Sequence, residues 1–279
     1  MKENKNINET KESETTKVVG VDALVSLPAI QINEITHGDS LELTGCVPAK
    51  ADLILEDMPY NTTQNHWDKE PIDLKRYWES RMELIKPTGV IILTATQPFT
   101  SKLILSNTQM YRYDLIWYKA LGTGHLNANK MPMRNHEHIL VFYKKLPTYN
   151  PIMRVGIMRT KGSKKGNTTT NYGKFDGKET INNTYYPQSV IDITNGDRTK
   201  ENQHPTQKPV GLFEYLIKTY TNEGELVFDG FGGSGTTAIA AYRTKRNFIV
   251  IEKDKKYFEI ASKRLYQERN PLHNFDEAS

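Results

Sequence analysis

One cysteine, Cys46, occurs in 279 residues, which excludes an internal disulfide and any multi-cysteine metal site and suits a reducing compartment. Cys46 also lacks a neighbouring base in the sequence, which argues against a nucleophilic thiol. Long apolar runs are missing too. None approaches the roughly 20 residues that span a bilayer, and none resembles the h-region of a secretory signal. The expectation is a cytoplasmic protein without membrane contact. His66, His125, His136, His138 and His204 offer no zinc-like pair with a third ligand, so no metal site is expected. Charge of one sign is scarce as well: the net value is +4, from 37 basic and 33 acidic side chains, so overall charge selects no partner.

The distribution of charge says more. From Lys144 to Lys178 there are nine Lys or Arg against one acid, Asp176. Such a run is either a solvated surface or the footprint of a polyanion. The stretch from Lys144 to about Gln203 is rich in Gly, Asn, Thr, Lys and Tyr and poor in aliphatics, so it reads as a loop-rich insertion (144–203). Residues 1–29 are Lys/Glu/Asn/Thr-rich and read as a flexible tail ahead of a domain over 30–279, with an apolar patch at Val18–Leu27. Ala51–Glu56 and Val90–Ala95 have the short apolar character of buried strands, and between them Leu74–Ile85 is helical in pattern and stopped by Pro87 and Gly89. Tyr113–Tyr118 and His138–Tyr143 are β-rich and predict an antiparallel pair at a sheet edge. A helix over Pro209–Tyr220, a strand over Leu226–Asp229, a helix over Thr236–Arg243, a strand over Phe248–Glu252 and a helix over Lys255–Gln267 follow. Strands alternating with helices predict an α/β, doubly wound, mostly parallel sheet.

Two of these strands run into segments that carry chemistry. Leu226–Asp229 opens into Gly-Phe-Gly-Gly-Ser-Gly and a helix start, and Glu252 ends the next strand about seventeen residues after Gly235. A glycine turn lets backbone approach a ligand closely, and an acid at the next strand end can accept hydrogen bonds from both ribose hydroxyls of a nucleoside. Alone, the turn also fits a tight connection; it does not fit a phosphate-binding P-loop, because Thr236 rather than Lys follows Gly235. The other segment is Asp57-Met58-Pro59-Tyr60, at the end of Ala51–Glu56. Asp57 and the Met58 carbonyl can accept the two hydrogens of an exocyclic amino group, while Tyr60 can stack on an extruded base. Such a turn is often only structural, and it gains meaning from its pairing with the glycine turn. Asn61–Trp67 is either a lid over the base or a polar loop, and Trp117 either packs or stacks.

The two motifs together resemble those of the DNA amino methyltransferases, which act on adenine N6 or cytosine N4. Their order, with Asp57–Tyr60 first, an insertion next and Asp229–Thr237 last, resembles the β group of that family. So do His204-Pro-Thr-Gln-Lys-Pro209, Asp114–Lys119 (DLIWYK) and Glu137–Phe142 (EHILVF). The resemblance spans roughly residues 31–268, and its implications are specific. The fold is a Rossmann-like methyltransferase sheet with an antiparallel edge and an inserted target-recognition region. The cofactor is S-adenosyl-L-methionine, the reaction is site-specific methylation of a flipped base, and the base is adenine N6, because Asp rather than Ser opens the catalytic turn.

Residue by residue, Asp57, Met58, Pro59 and Tyr60 would be catalytic. Asp39, Thr206, Lys208, Asp229, Phe231, Gly233, Gly235 and Glu252 would hold the cofactor, and Lys161, Lys164 and Lys165 would contact DNA. Double-stranded DNA is the partner implied, with room for a cognate restriction endonuclease and a homodimer. Met58 and Gly230 stand where that family often carries proline, which implies a less rigid turn and a looser loop. Cytosine-N4 methylation, methylation of RNA or a protein amide, and a DNA-binding module with a decayed catalytic site are the alternatives.

Overall fold

The computed structural model describes residues 29–59, 72–161, 168–169, 173–174, 180–194 and 207–271. An eight-stranded sheet organises them. Its strands are β1 (Glu34–His37), β2 (Ala51–Glu56), β3 (Ile85–Ala95), β4 (Tyr111–Thr123), β5 (Arg134–Phe142), β10 (Val190–Asp192), β11 (Leu226–Asp229) and β12 (Asn247–Glu252). The spatial order is β1-β12-β11-β2-β3-β5-β4-β10. Pairing is parallel from β1 through to β3, antiparallel on both sides of β5, and parallel again between β4 and β10. Only β5 therefore runs against the other seven strands. The predicted antiparallel pair is present, with Trp117 opposite Glu137 and Ile116 opposite His138. It lies one strand in from the edge, because Val190–Asp192 leaves the insertion to pair with β4.

Alternation along the central strands builds two cores. Leu53, Leu55, Val90 and Ile92 point to one face and pack with α3 (Val210–Tyr220), α4 (Thr236–Arg243) and α5 (Lys255–Arg269). Ile54, Ile91 and Leu93 point to the other and pack with α1 (Leu74–Leu84) and α2 (Phe99–Ser106). Helix α1 begins where predicted, since the Asp73 carboxylate caps the N–H groups of Lys75 and Arg76 at 2.9 and 3.2 Å. The pattern stopping at Pro87 and Gly89 marks a strand that has already begun, because β3 starts at Ile85 opposite Ala51. Within the insertion, β6 (Arg154–Lys161) and β9 (Thr180–Tyr185) form a two-stranded ribbon, and β7 (Thr168–Thr169) pairs with β8 (Gly173–Lys174). The predicted tail, apart from Ala29, and the Val18–Leu27 patch lie outside the described residues.

The chain order fixes where a ligand can sit. After β2 it passes through α1 to β3 on one side, and after β11 it passes through α4 to β12 on the other. Neighbouring strands β2 and β11 thus flank a switch point, and an open sheet binds ligands in the crevice at the carboxyl ends there.

Candidate active site

Asp57 follows β2 at that switch point, and two other segments supply its partners. Its Oδ1 accepts a short hydrogen bond from the Thr94 hydroxyl, at the end of β3. Its Oδ2 lies 2.5 Å from the Lys208 ammonium, just ahead of α3. The lysine is nearly buried, with 6% of its side chain exposed, whereas Asp57 keeps 23% open. Met58 is buried and Pro59 partly so. Tyr60 and Thr206 lie outside the described residues.

The glycine turn is shaped from within. Asp229 is 2% exposed: its Oδ1 accepts the Phe231 N–H at 2.8 Å, and its Oδ2 meets the Thr237 hydroxyl in a short contact. Burial and the nearby Glu56 carboxylate push the Asp229 carboxyl up to about 8, against the pull of those two donors. At Gly235 the backbone adopts φ +81°, and a Cβ would meet the Ala261 Cβ of α5 at 2.9 Å. That position therefore needs glycine for both its conformation and its packing. Gly233 donates its N–H at 2.6 Å to Glu252, which stands at the end of β12. Burial raises the Glu252 carboxyl, while N–H groups of Asp254 and Gly233 work in the opposite direction.

Asp39, after β1, accepts the Leu41 N–H at 2.9 Å and faces Lys253 at 3.1 Å. Partial burial opposes its ionisation, but these two partners hold it below the usual carboxylate range. The 207–208 segment is tied to the turn as well: Ser234 donates to the Gln207 side chain at 2.9 Å.

Beneath the crevice lies a charged hub that the sequence did not reveal. Arg81 of α1 and Glu56 of β2 are fully buried and joined at 2.8 Å. Glu56 also accepts the Tyr77 hydroxyl at 2.6 Å and the Gly230 N–H at 2.9 Å, and Arg81 donates to Ser40 at 2.9 Å. The guanidinium stacks 5.5 Å from the Phe231 ring. This hub links the strand before Asp57, the loop after Asp39 and the glycine turn. It also corrects the expectation of a looser loop at Gly230. A Cβ at that position would meet Arg81 Nη2 at 2.3 Å, and a proline there would lose the N–H that Glu56 accepts.

Other sequence candidates resolve individually. Trp117 is buried, and its Nε1 donates to the Ile193 carbonyl at 2.9 Å, so it packs. His138 pairs with Asp114 at 2.9 Å. Among the described residues no His/Cys/Asp/Glu group is suited to hold a metal. None of their helices is long and apolar enough to cross a membrane. Lys164 and Lys165 fall outside the described residues, and Lys161 is described only in its backbone, as the last residue of β6. Sequence reasoning missed Thr94 and Glu137, which meet Asp57 and Lys208. Only Thr94 carried a local signal, as the polar residue in the otherwise apolar run Val90–Ala95; Glu137 lies among the polar residues that begin β5.

The DNA methylase family profile matches residues 51–263, most of the chain, and includes both motifs. The chain belongs to the N6/N4 DNA methylase family. It is 29% identical to the Type II methyltransferase M.HpaI of Haemophilus parainfluenzae, over 81% of this chain and 71% of that one. It is also 29% identical to the DNA adenine methyltransferase YhdJ of Escherichia coli K12, over 83% and 82%. Among solved structures, the M1.HpyAVI–SAM complex superposes with a TM-score of 0.57 at 24% identity, covering 83% of this chain and 98% of that one. The cytosine-N4-specific PvuII methyltransferase gives 0.58 at 16% identity, covering 86% and 92%. At such identities the structural likeness concerns the fold, and it supports the Rossmann-like sheet expected from the sequence.

Proposed function

We propose that this methylase transfers a methyl group from S-adenosyl-L-methionine to the exocyclic amino group of a base extruded from double-stranded DNA, with adenine N6 as the target. The observation that carries this reading is the position of Asp57, partly open at the switch-point crevice beside the glycine turn. The residues present fit the cofactor. Glu252 offers a buried carboxylate next to a cradle in which two glycines leave no room for a side chain: a Cβ at Gly232 would meet Val250 at 2.4 Å, and one at Gly235 would meet Ala261 at 2.9 Å. Glu252 would take the ribose hydroxyls, Phe231 and Asp39 the adenine, and Lys208 and Thr206 the methionine end, with Gly233 and Gly235 giving close approach and Asp229 holding the turn.

Bound there, S-adenosyl-L-methionine supplies an electrophilic methyl group on a sulfonium. Asp57 and the Met58 carbonyl accept the two amino hydrogens of the target base. That contact draws the nitrogen toward tetrahedral geometry and returns to it a lone pair otherwise delocalised into the ring. Pro59 stiffens the turn and Tyr60 stacks on the base. No covalent enzyme intermediate is needed, so Cys46 has no part in it. The basic insertion, with Lys161, Lys164 and Lys165, follows the DNA backbone and positions the site.

Adenine is favoured by Asp at the head of the turn, and a relative named as an adenine methyltransferase aligns over most of the chain. Cytosine N4 is the second reading, because a cytosine-N4-specific enzyme shares the fold. A module with a decayed site is disfavoured by the intact Asp57 and glycine turn. The Type II names of its relatives support a cognate restriction endonuclease, with action on the cytoplasmic nucleoid. Transfer of tritiated methyl groups to DNA from a methylation-free host tests the reaction, and labelled RNA or protein in place of DNA would redirect it.

A further inference from the structure

Glu137 begins the site-facing end of β5, opposite Trp117, and no motif of the active site includes it. It is a buried carboxylate between two ammonium groups. Its Oε1 makes a short ion pair with Lys119 of β4, whose ammonium also lies 4.9 Å over the Trp117 ring. Its Oε2 is buried and accepts no hydrogen bond among the described residues. The Lys208 ammonium lies 3.4 Å from Oε2, and the same ammonium sits 2.5 Å from Asp57 Oδ2. One ammonium therefore stands between two carboxylates and is committed to one of them.

This arrangement bears on catalysis. Asp57 must present an oxygen to the amino group of the target base, and Lys208 holds one of its two oxygens while Thr94 holds the other. A carboxylate oxygen left without a donor in a buried setting is costly, and a short movement of Lys208 would satisfy it. We propose that Glu137 is a positioning residue: it is the second seat of the Lys208 ammonium, which moves from Asp57 to Glu137 Oε2 as the target base docks on Asp57. The ammonium stays buried and paired throughout, which is the condition for moving a charge in a desolvated site. The inference rests on the reading of Asp57 as the acceptor for the base.

Glu137→Gln keeps the shape and the contact with Lys119 but removes the charge that draws Lys208 away. Lys119→Met removes the other ion pair and leaves Lys208 its two seats. With wild-type enzyme, unmethylated genomic DNA and labelled cofactor, Glu137→Gln should lower kcat about tenfold or more. Its thermal midpoint and its cofactor affinity, measured by calorimetry, should stay near wild type. Lys119→Met should keep kcat within about threefold on the same grounds. Near-normal turnover in Glu137→Gln, equal losses in both variants, or a loss that follows unfolding or weakened cofactor binding would each overturn the assignment. An inactive wild-type enzyme would instead sink the proposed function and is distinguishable on that basis.

Discussion

At the residue scale, two aspartates at neighbouring strand ends do different work. Asp57 stays partly open and faces the Lys208 ammonium and the Thr94 hydroxyl, whereas Asp229 is sealed into its own turn. Asp57→Ala should abolish methyl transfer with cofactor and DNA affinities within about threefold of wild type, since its proposed part is to accept the reacting amino group, and Lys208 keeps the Glu137 carboxylate within reach. Equilibrium binding beside single-turnover rates checks this, and near-normal turnover would remove Asp57 from the mechanism. Asp229 gives a pH dependence of known sign. Its folded carboxyl titrates near 8, against an ordinary value of 3.8. The stability it contributes is fully present below its unfolded value and is lost as pH rises through the folded one. Between pH 6 and 8 the wild type should therefore lose about 2 kcal/mol relative to Asp229→Asn, whose amide can keep both turn contacts without ionising. Denaturant melts of the pair at both pH values measure it; parallel profiles would show that Asp229 is ionised throughout.

At the element scale, the elements legible in the sequence are those with a strong local pattern. Ala51–Glu56, Val90–Ala95, Leu226–Asp229 and Phe248–Glu252 are nearly all apolar because both faces of the sheet are covered, and their positions stand as expected. What was not legible depends on distant partners. Glu34–His37 carries one buried apolar residue, Ile35, and is a strand because it pairs with β12. Val190–Asp192 lies in a polar stretch and is a strand because β4 offers it an edge. The motifs likewise announced Asp57, Asp229 and Glu252, but Arg81, Thr94 and Glu137 join the site through the folding of α1, β3 and β5. The basic insertion is tested as an element. Replacing Lys161, Lys164 and Lys165 with Ala should weaken DNA binding and flatten its salt dependence by up to about one slope unit per lost phosphate contact. An unchanged slope in a salt titration would place those lysines in solvent and the footprint elsewhere.

At the scale of the whole molecule, one sheet supports two jobs with the chain order reversed between them. In the proposed reading, the half holding β2 and β3 presents the amino-group acceptor and the half holding β11 and β12 the nucleoside cradle; the Arg81–Glu56 hub locks the two together beneath the crevice. On that proposal, a single domain brings a methyl donor and an extruded base to one line, and the insertion between the halves is the proposed recognition region. The measurement that tests this most directly is the identity of the modified nucleoside. DNA from a methylation-deficient host expressing this protein is digested to nucleosides and resolved by mass spectrometry. The expected product is N6-methyladenosine in its deoxy form, absent when Asp57 is alanine. N4-methylcytosine alone would overturn the base while leaving the mechanism, whereas ring-carbon methylation of cytosine, or no modified nucleoside from folded, cofactor-bound protein, would contradict amino methylation itself.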